Sequence, residues 1–262
     1  GVEAGVAEVV ESSRSEREFA LGPRFRGGDV SISGHGRGFV GARGDIFVHG
    51  VSAGFTSTST PLLLAGREIN IVSSNFDTGG LDLLAVGNVA TRIAFDDPTA
   101  GVDVAGALRV SDSFIRSFPS SVSVGSLRIA AGSLELAQTG FVTDALGSRN
   151  GGNVIVRAHG IALDDAYIGT RNFSSLSRDG GSILVTADNI GITGPFGGFL
   201  SYTAGSGTGG DISIQASALT QDDGFFIADA LGGATGAGGS IVLAVDHLLL
   251  QNNALLATRT FD

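Results

Sequence analysis

An all-β chain wound as a right-handed parallel β-helix is what this sequence predicts, and three observations predict it. A glycine pair followed by an alternating apolar stretch returns at a fixed interval. The copies are GGNVIVRA at Gly151, GGSILVTA at Gly180, GGDISIQA at Gly209 and GGSIVLAV at Gly238, each 29 residues after the last. Within each copy the apolar residues recur at period two, which lines one face of a strand and not one stripe of a helix. Glycine fills 42 of 262 positions and proline only five, a composition suited to short strands joined by tight turns.

The first strand of each coil carries Val154 and Val156, Ile183 and Val185, Ile212 and Ile214, then Ile241 and Leu243. The second carries Ile161 and Leu163, Ile190 and Ile192, Leu219 and Gln221, then Leu248 and Leu250. A third, less regular strand holds Ala166 and Ile168, Phe225 and Ile227, then Ala254 and Leu256 on one face. Three short strands per repeat describe one rung of a solenoid. A lone rung cannot bury its own apolar face, whereas stacked rungs build a continuous core. Each buried aliphatic side chain then contributes about 1.5–3 kcal/mol. The glycine pair is expected at a corner, where positive φ and close approach to the next rung both favour a residue without a side chain.

Fainter copies extend toward the N-terminus at residues 121–144, 100–117, 79–95, 61–78, 43–50 and 27–38. Together they give roughly nine rungs and a rod about 45 Å long at the strand spacing. Residues 27–262 are therefore expected to form the β-helix. Residues 1–26 are expected to be an N-terminal cap or lead-in, with Val2, Val6, Val9 and Val10 at helical spacing. The sequence stops at TRTFD without a capping segment. An uncapped rung is a template for further strand pairing, so a longer protein or a second stacked chain is expected there.

Composition removes several function classes. There is no Cys, Met, Trp or Lys, which excludes disulfides, thiolate chemistry, Schiff bases and a phosphate-binding P-loop lysine. A net charge of −10 speaks against a nucleic acid partner. No apolar run approaches the length of a membrane-spanning helix. An enzyme of the β-helix class would need clustered Asp, His and Arg on one face. Gly34–His35–Gly36 and the pairs Asp96–Asp97, Asp164–Asp165 and Asp222–Asp223 resemble pieces of a polygalacturonase site. Their order is wrong, the Asn-Thr-Asp element is missing, and the substrate-binding Arg-x-Lys cannot exist. The two later pairs read as solvated turns two rungs apart, too far from one another to share a Ca²⁺. His35, His49, His159 and His247 occupy no common site, and TSTST (56–60) reads as a polar corner. Ile155, Leu184, Ser213 and Val242 align on the outer side of the first strand as a candidate lateral contact.

The consensus GGxΦxΦxAxxΦxΦ, with its polar turn and third strand, resembles the repeats of the filamentous haemagglutinin family, the large exoproteins of bacterial two-partner secretion. GGSIVLAVDHLLLQNNALLATRTF (238–261) carries the resemblance most fully. It implies a secreted, surface-associated β-helix used in adhesion, in fibres or as a stalk, and it brings no catalytic, cofactor-binding or metal residues. The family's N-terminal secretion domain, with its Asn-Pro motifs, has no counterpart in a chain lacking Asn-Pro, which points to a central or C-terminal section. The expectation is a secreted or cell-surface structural or adhesive rod without enzymatic activity or cofactor, part or subunit of an extracellular fibre. Its expected partners are further copies of itself, end to end or laterally, and a host-surface or glycan ligand. The alternatives are a self-assembling end-to-end filament subunit and, behind it, a polysaccharide lyase or hydrolase.

Overall fold

The structure, a computed structural model, describes residues 24–26, 38–41, 45–50, 52–54, 62–87, 104–118, 125–145, 150–173, 179–204, 206–231 and 236–260. The N-terminal half contributes short strands: β1 (Arg24–Arg26), β2 (Gly38–Gly41), β3 (Ile46–His49), β4 (Ser52–Gly54), β5 (Leu62–Gly66), β6 (Ile69–Val72), β7 (Asn75–Thr78), β8 (Leu81–Ala85), β9 (Ala107–Ser111) and β10 (Phe114–Ser117). Regular coils follow, each made of a long strand and a short one. They are β11 (Leu127–Ala137) with β12 (Gly140–Ala145), β13 (Val154–Asp164) with β14 (Tyr167–Asn172), and β15 (Ile183–Thr193) with β16 (Gly198–Thr203). The last two are β17 (Ile212–Asp222) with β18 (Phe225–Ala230), and β19 (Ile241–Gln251) with β20 (Leu255–Ala257). Strands pair in parallel, each with its counterpart one coil away, so the chain is a parallel β-solenoid. A 12-stranded sheet carries the long strands and an 8-stranded sheet carries the short ones.

The repeat interval fixes the register. Val154 pairs with Ile183, Ile183 with Ile212 and Ile212 with Ile241, which stacks the inward residues into ladders. Val154, Val156, Val185, Ile192, Ile212 and Ile214 are completely buried. In the second sheet Phe141, Ile168, Phe199 and Phe226 continue the core, and the Phe199 and Phe226 rings stack with centroids 5.4 Å apart.

Five sequence expectations change. In the regular coils from β11 onward the first two strands run as one 11-residue strand. Pairing merely skips an exposed residue at the bend, His159 against Asp188. About five turns are regular, not nine. The rungs expected at 79–95 and 100–117 supply strands to a single coil, because β8 pairs with the first half of β11 and β9 with its second half. Likewise β2 and β3 lie on one coil, against β5 and β6. In β18 it is Phe226 and Ala228 that face inward, while Phe225 and Ile227 are half-buried on the outer side. Finally, none of the four repeated glycine pairs has positive φ. A side chain at Gly181 or Gly210 would instead collide with the carbonyl of the glycine one coil below. Close stacking alone requires glycine there.

The left-handed backbone lies elsewhere, at the turn into each short strand. Ser73, Asp112, Gln138, Asp165, Gly194, Asp223 and Asn252 occupy that turn with φ between 46° and 80°. Asp, Asn and Gly tolerate this conformation best, which explains why Asp pairs sit there. A buried hydroxyl ladder ties the short strands to the glycine corner. Ser117 donates to the Gly125 carbonyl at 2.7 Å, Thr143 to Gly152 at 2.6 Å, and Thr170 to Gly181 at 2.5 Å. Each such bond contributes about 1 kcal/mol and helps satisfy a buried corner carbonyl, the Gly181 carbonyl accepting from Ser201 as well.

Residues 1–23, with the expected capping helix, lie outside the described residues. So do Gly34–His35–Gly36, TSTST (56–60) and Asp96–Asp97.

Two glycine substitutions separate stacking from mere flexibility. Gly181→Ala is expected to prevent normal folding, whereas Gly160→Ala, which meets open space, is expected to change stability by no more than about 1 kcal/mol. Circular dichroism and urea unfolding of the two variants check this. Gln221 is a second test, because it lies fully buried in the inward column of Ile192 and Leu250 with neither amide atom bonded to another protein group. Gln221→Leu is expected to raise the unfolding free energy by about 1–3 kcal/mol, and an unchanged or lower value would contradict the burial argument.

Candidate functional site: an aromatic and arginine strip on the second sheet

Sequence reading assigned no catalytic, cofactor-binding or metal residue. The structure nonetheless assembles one surface whose chemistry stands apart. In each short strand the first, third and fifth residues point away from the core. The first position reads Phe114, Gly140, Tyr167, Gly198, Phe225 through successive coils. A side chain at Gly140 would strike the rings of both Phe114 and Tyr167. Gly140 is thus the floor over which two rings converge from neighbouring coils.

The other positions bring charge. Arg171 binds Asp144, its register partner, through two bonds of 2.6 Å each. Arg116 binds Asp77 in the same way at 2.7 Å and 2.7 Å. Both guanidinium groups also lie against rings: Arg116 is 5.7 Å from the Phe114 centroid and 5.3 Å from that of Phe118, and Arg171 is 5.5 Å from Phe114 and from Phe173. Phe114 is therefore sandwiched between two arginines. Phe173 meets Tyr202 edge to face at 5.4 Å. The result is a continuous strip, Phe118–Arg116–Phe114–Arg171–Phe173–Tyr202, running along the rod. A planar fork that can bind a carboxylate and lie on a ring at once is available to arginine and not to lysine.

Tyr167 and Tyr202 are the only tyrosines of the chain, and both belong to this strip. Burial pushes both phenols above the ordinary tyrosine range, against the opposing pull of the Arg171 guanidinium. Burial draws the Arg171 guanidinium down more than any single partner raises it, but the bond and charge of Asp144, with smaller contributions from Tyr202 and Tyr167, together leave it above its usual value. The strip thus offers two neutral hydroxyls beside paired charges and partly open rings, Phe173 being 44% exposed.

Among the described residues, those weighed from sequence do not converge. Asp164 accepts from Thr193 at 2.9 Å and Asp165 from the Phe196 amide at 3.4 Å, while Asp223 caps Gly224 at 3.1 Å. Asp222 accepts from Asn252 in the next coil. These pairs serve turns and cross-coil bonds, as expected. His49 lies beside Phe47 on β3 and His247 is exposed on β19. His159 faces Asp188 across the bend at 2.9 Å, a pairing the sequence reading missed. Leu184 and Val242 are exposed on the first sheet, in line with half-buried Ile155 and Ser213. The strip escaped detection because its members come from four coils at irregular sequence intervals. Gly140, the signal that marks it, reads in sequence as one more turn glycine.

Comparison with protein-family models, with curated proteins and with solved structures finds no match. The likeness to filamentous haemagglutinin coils therefore rests on the repeat itself. What stands is a parallel β-solenoid repeat protein whose second sheet carries this aromatic strip.

With only two tyrosines, alkaline titration reads the strip directly. Tyrosinate absorbance is expected to rise only above the ordinary tyrosine pKa of about 10 in the folded protein, and at the ordinary value after unfolding. Because the folded values are raised, the stability linked to them is complete below pH about 10 and is lost as pH rises through the folded values. Normal titration in the folded state would place both hydroxyls in open solvent.

Proposed function

We propose that this chain is a secreted or surface-displayed structural and adhesive rod, part or subunit of an extracellular fibre. The carrying observation is the pairing of unbroken parallel ladders with a single outer face built for contact. The ladders supply stiffness. From β11 through β20 the same columns of Val, Ile, Leu and Phe repeat, and cross-coil carboxylate–arginine pairs brace the surface. Such a stack opens only by breaking many backbone bonds together, which suits a spacer exposed to proteases. The contact face supplies adhesion through rings and hydroxyls and requires no chemical step.

The test is where the folded chain resides. Antibodies raised against it are expected to label intact, unpermeabilised producing cells or their medium, and the rod is expected to resist limited proteolysis. Labelling that appears only after lysis would contradict surface display.

A further inference from the structure

Resting on the adhesive reading, we propose that the aromatic and arginine strip binds an uncharged, extended polysaccharide chain of β-linked sugars lying along the rod axis. The distribution of rings selects the face. Through the regular coils, β11, β13, β15, β17 and β19 contain no Phe or Tyr. The second sheet and its edge instead carry Phe114, Phe118, Tyr167, Phe173, Tyr202 and Phe225 on the outside. Aromatic faces are platforms for the C–H faces of sugar rings, with gain in proportion to the apolar area covered.

Spacing selects an extended chain. In the first column a ring appears at every second coil, Phe114, Tyr167 and Phe225, with Gly140 and Gly198 between them. The rings of Phe114 and Tyr167 close over Gly140 into one platform, and Phe225, two strands beyond Tyr167 and about 9–10 Å from it along the backbone stack, begins the next. An extended β-1,4-linked chain, whose alternate sugars present the same face, repeats on that scale.

Charge selects an uncharged ligand. Arg116 and Arg171 already hold Asp77 and Asp144 in two-bond forks. An anionic polymer would have to displace those carboxylates and approach a chain of net charge −10. The two phenol hydroxyls beside Arg171 stay protonated at neutral pH and can donate to and accept from sugar hydroxyls.

The experiment is affinity electrophoresis through native gels carrying hydroxyethylcellulose, with polygalacturonate gels as the anionic comparison. The folded chain is expected to be retarded by the neutral polymer and not by the anionic one. Tyr167→Ala with Phe173→Ala is expected to weaken retardation at least about tenfold, the loss of two stacking rings. Tyr167→Phe with Tyr202→Phe, which keeps the rings and is safe for folding, is expected to weaken it less. Leu184→Ala, on the other sheet, leaves it unchanged. Circular dichroism of every variant reports the fold. Absence of retardation by hydroxyethylcellulose, retardation by polygalacturonate alone, or full retardation of both natively folded tyrosine variants would overturn the proposal. If beads coated with the chain still adhere to cell surfaces while the neutral gel gives no retardation, the glycan assignment falls and the adhesive reading stands. Retardation by the neutral gel in a chain located inside cells keeps the binding site and removes surface display.

Discussion

Parallel stacking at one strand spacing places each side chain directly above its counterpart in the next coil, and the rest of the structure depends on that constraint. A residue is kept at a column only if it tolerates its own neighbour about 4.8 Å away. Val, Ile, Leu and Phe do so inside the rod, where they interdigitate without unsatisfied polar atoms. At the corner the backbones of successive coils approach so closely that only glycine fits. Hydroxyls from Ser117, Thr143 and Thr170 then bond the carbonyls exposed by those glycines. On the outer face the rule becomes electrostatic, since like charges directly opposite one another are destabilising. The fifth column of the second sheet obeys it: Asp144, Arg171, Tyr202, Asp229, Arg259.

The same constraint explains what the sequence discloses. Columns of Ile183, Ile212 and Ile241 must be alike to stack, so the long strands and the glycine corner stand out as repetition. Features that stacking does not fix are hidden. The bend within the long strand is marked only by exposed polar residues of different kinds: His159, Asp188, Ser217 and Asp246. The coil shared by β8 and β9 is divided by residues 86–106, so its two halves pass for separate rungs. Val104, at the end of that segment, packs on Leu63, Ala65, Leu84 and Ala130 outside the main core. In β18 the run Phe225–Phe226–Ile227 is apolar on both faces, and alternation alone cannot say which side is inward. Gln221 fits the inward column by position but not by chemistry.

The two sheets divide the work of the molecule. The long strands carry the regular core and present mainly polar residues such as Thr186, Gln215 and Thr220 to solvent. The short strands carry rings, hydroxyls and arginine forks, and they are the least regular part of the repeat. That irregularity is tolerated because an outer surface need not repeat while the core beneath it must. Arg116 and Arg171 show what arginine supplies there, each binding a carboxylate in the adjacent coil and lying against a ring in one geometry.

Cross-linking across coils tests the column register most directly, and a chain without cysteine gives no background. Thr186 and Gln215 are exposed register partners 29 residues apart. Parallel neighbours lie within the Cα separation of about 4.4–6.8 Å that a disulfide spans. Under mild oxidation the Thr186→Cys, Gln215→Cys double variant should close an intramolecular disulfide nearly completely. Thr186→Cys with Thr220→Cys, five residues further along the same strand, should remain reduced. Equal cross-linking of both pairs, or none of the first, would contradict the register on which the core, the glycine corner and the aromatic strip all rest.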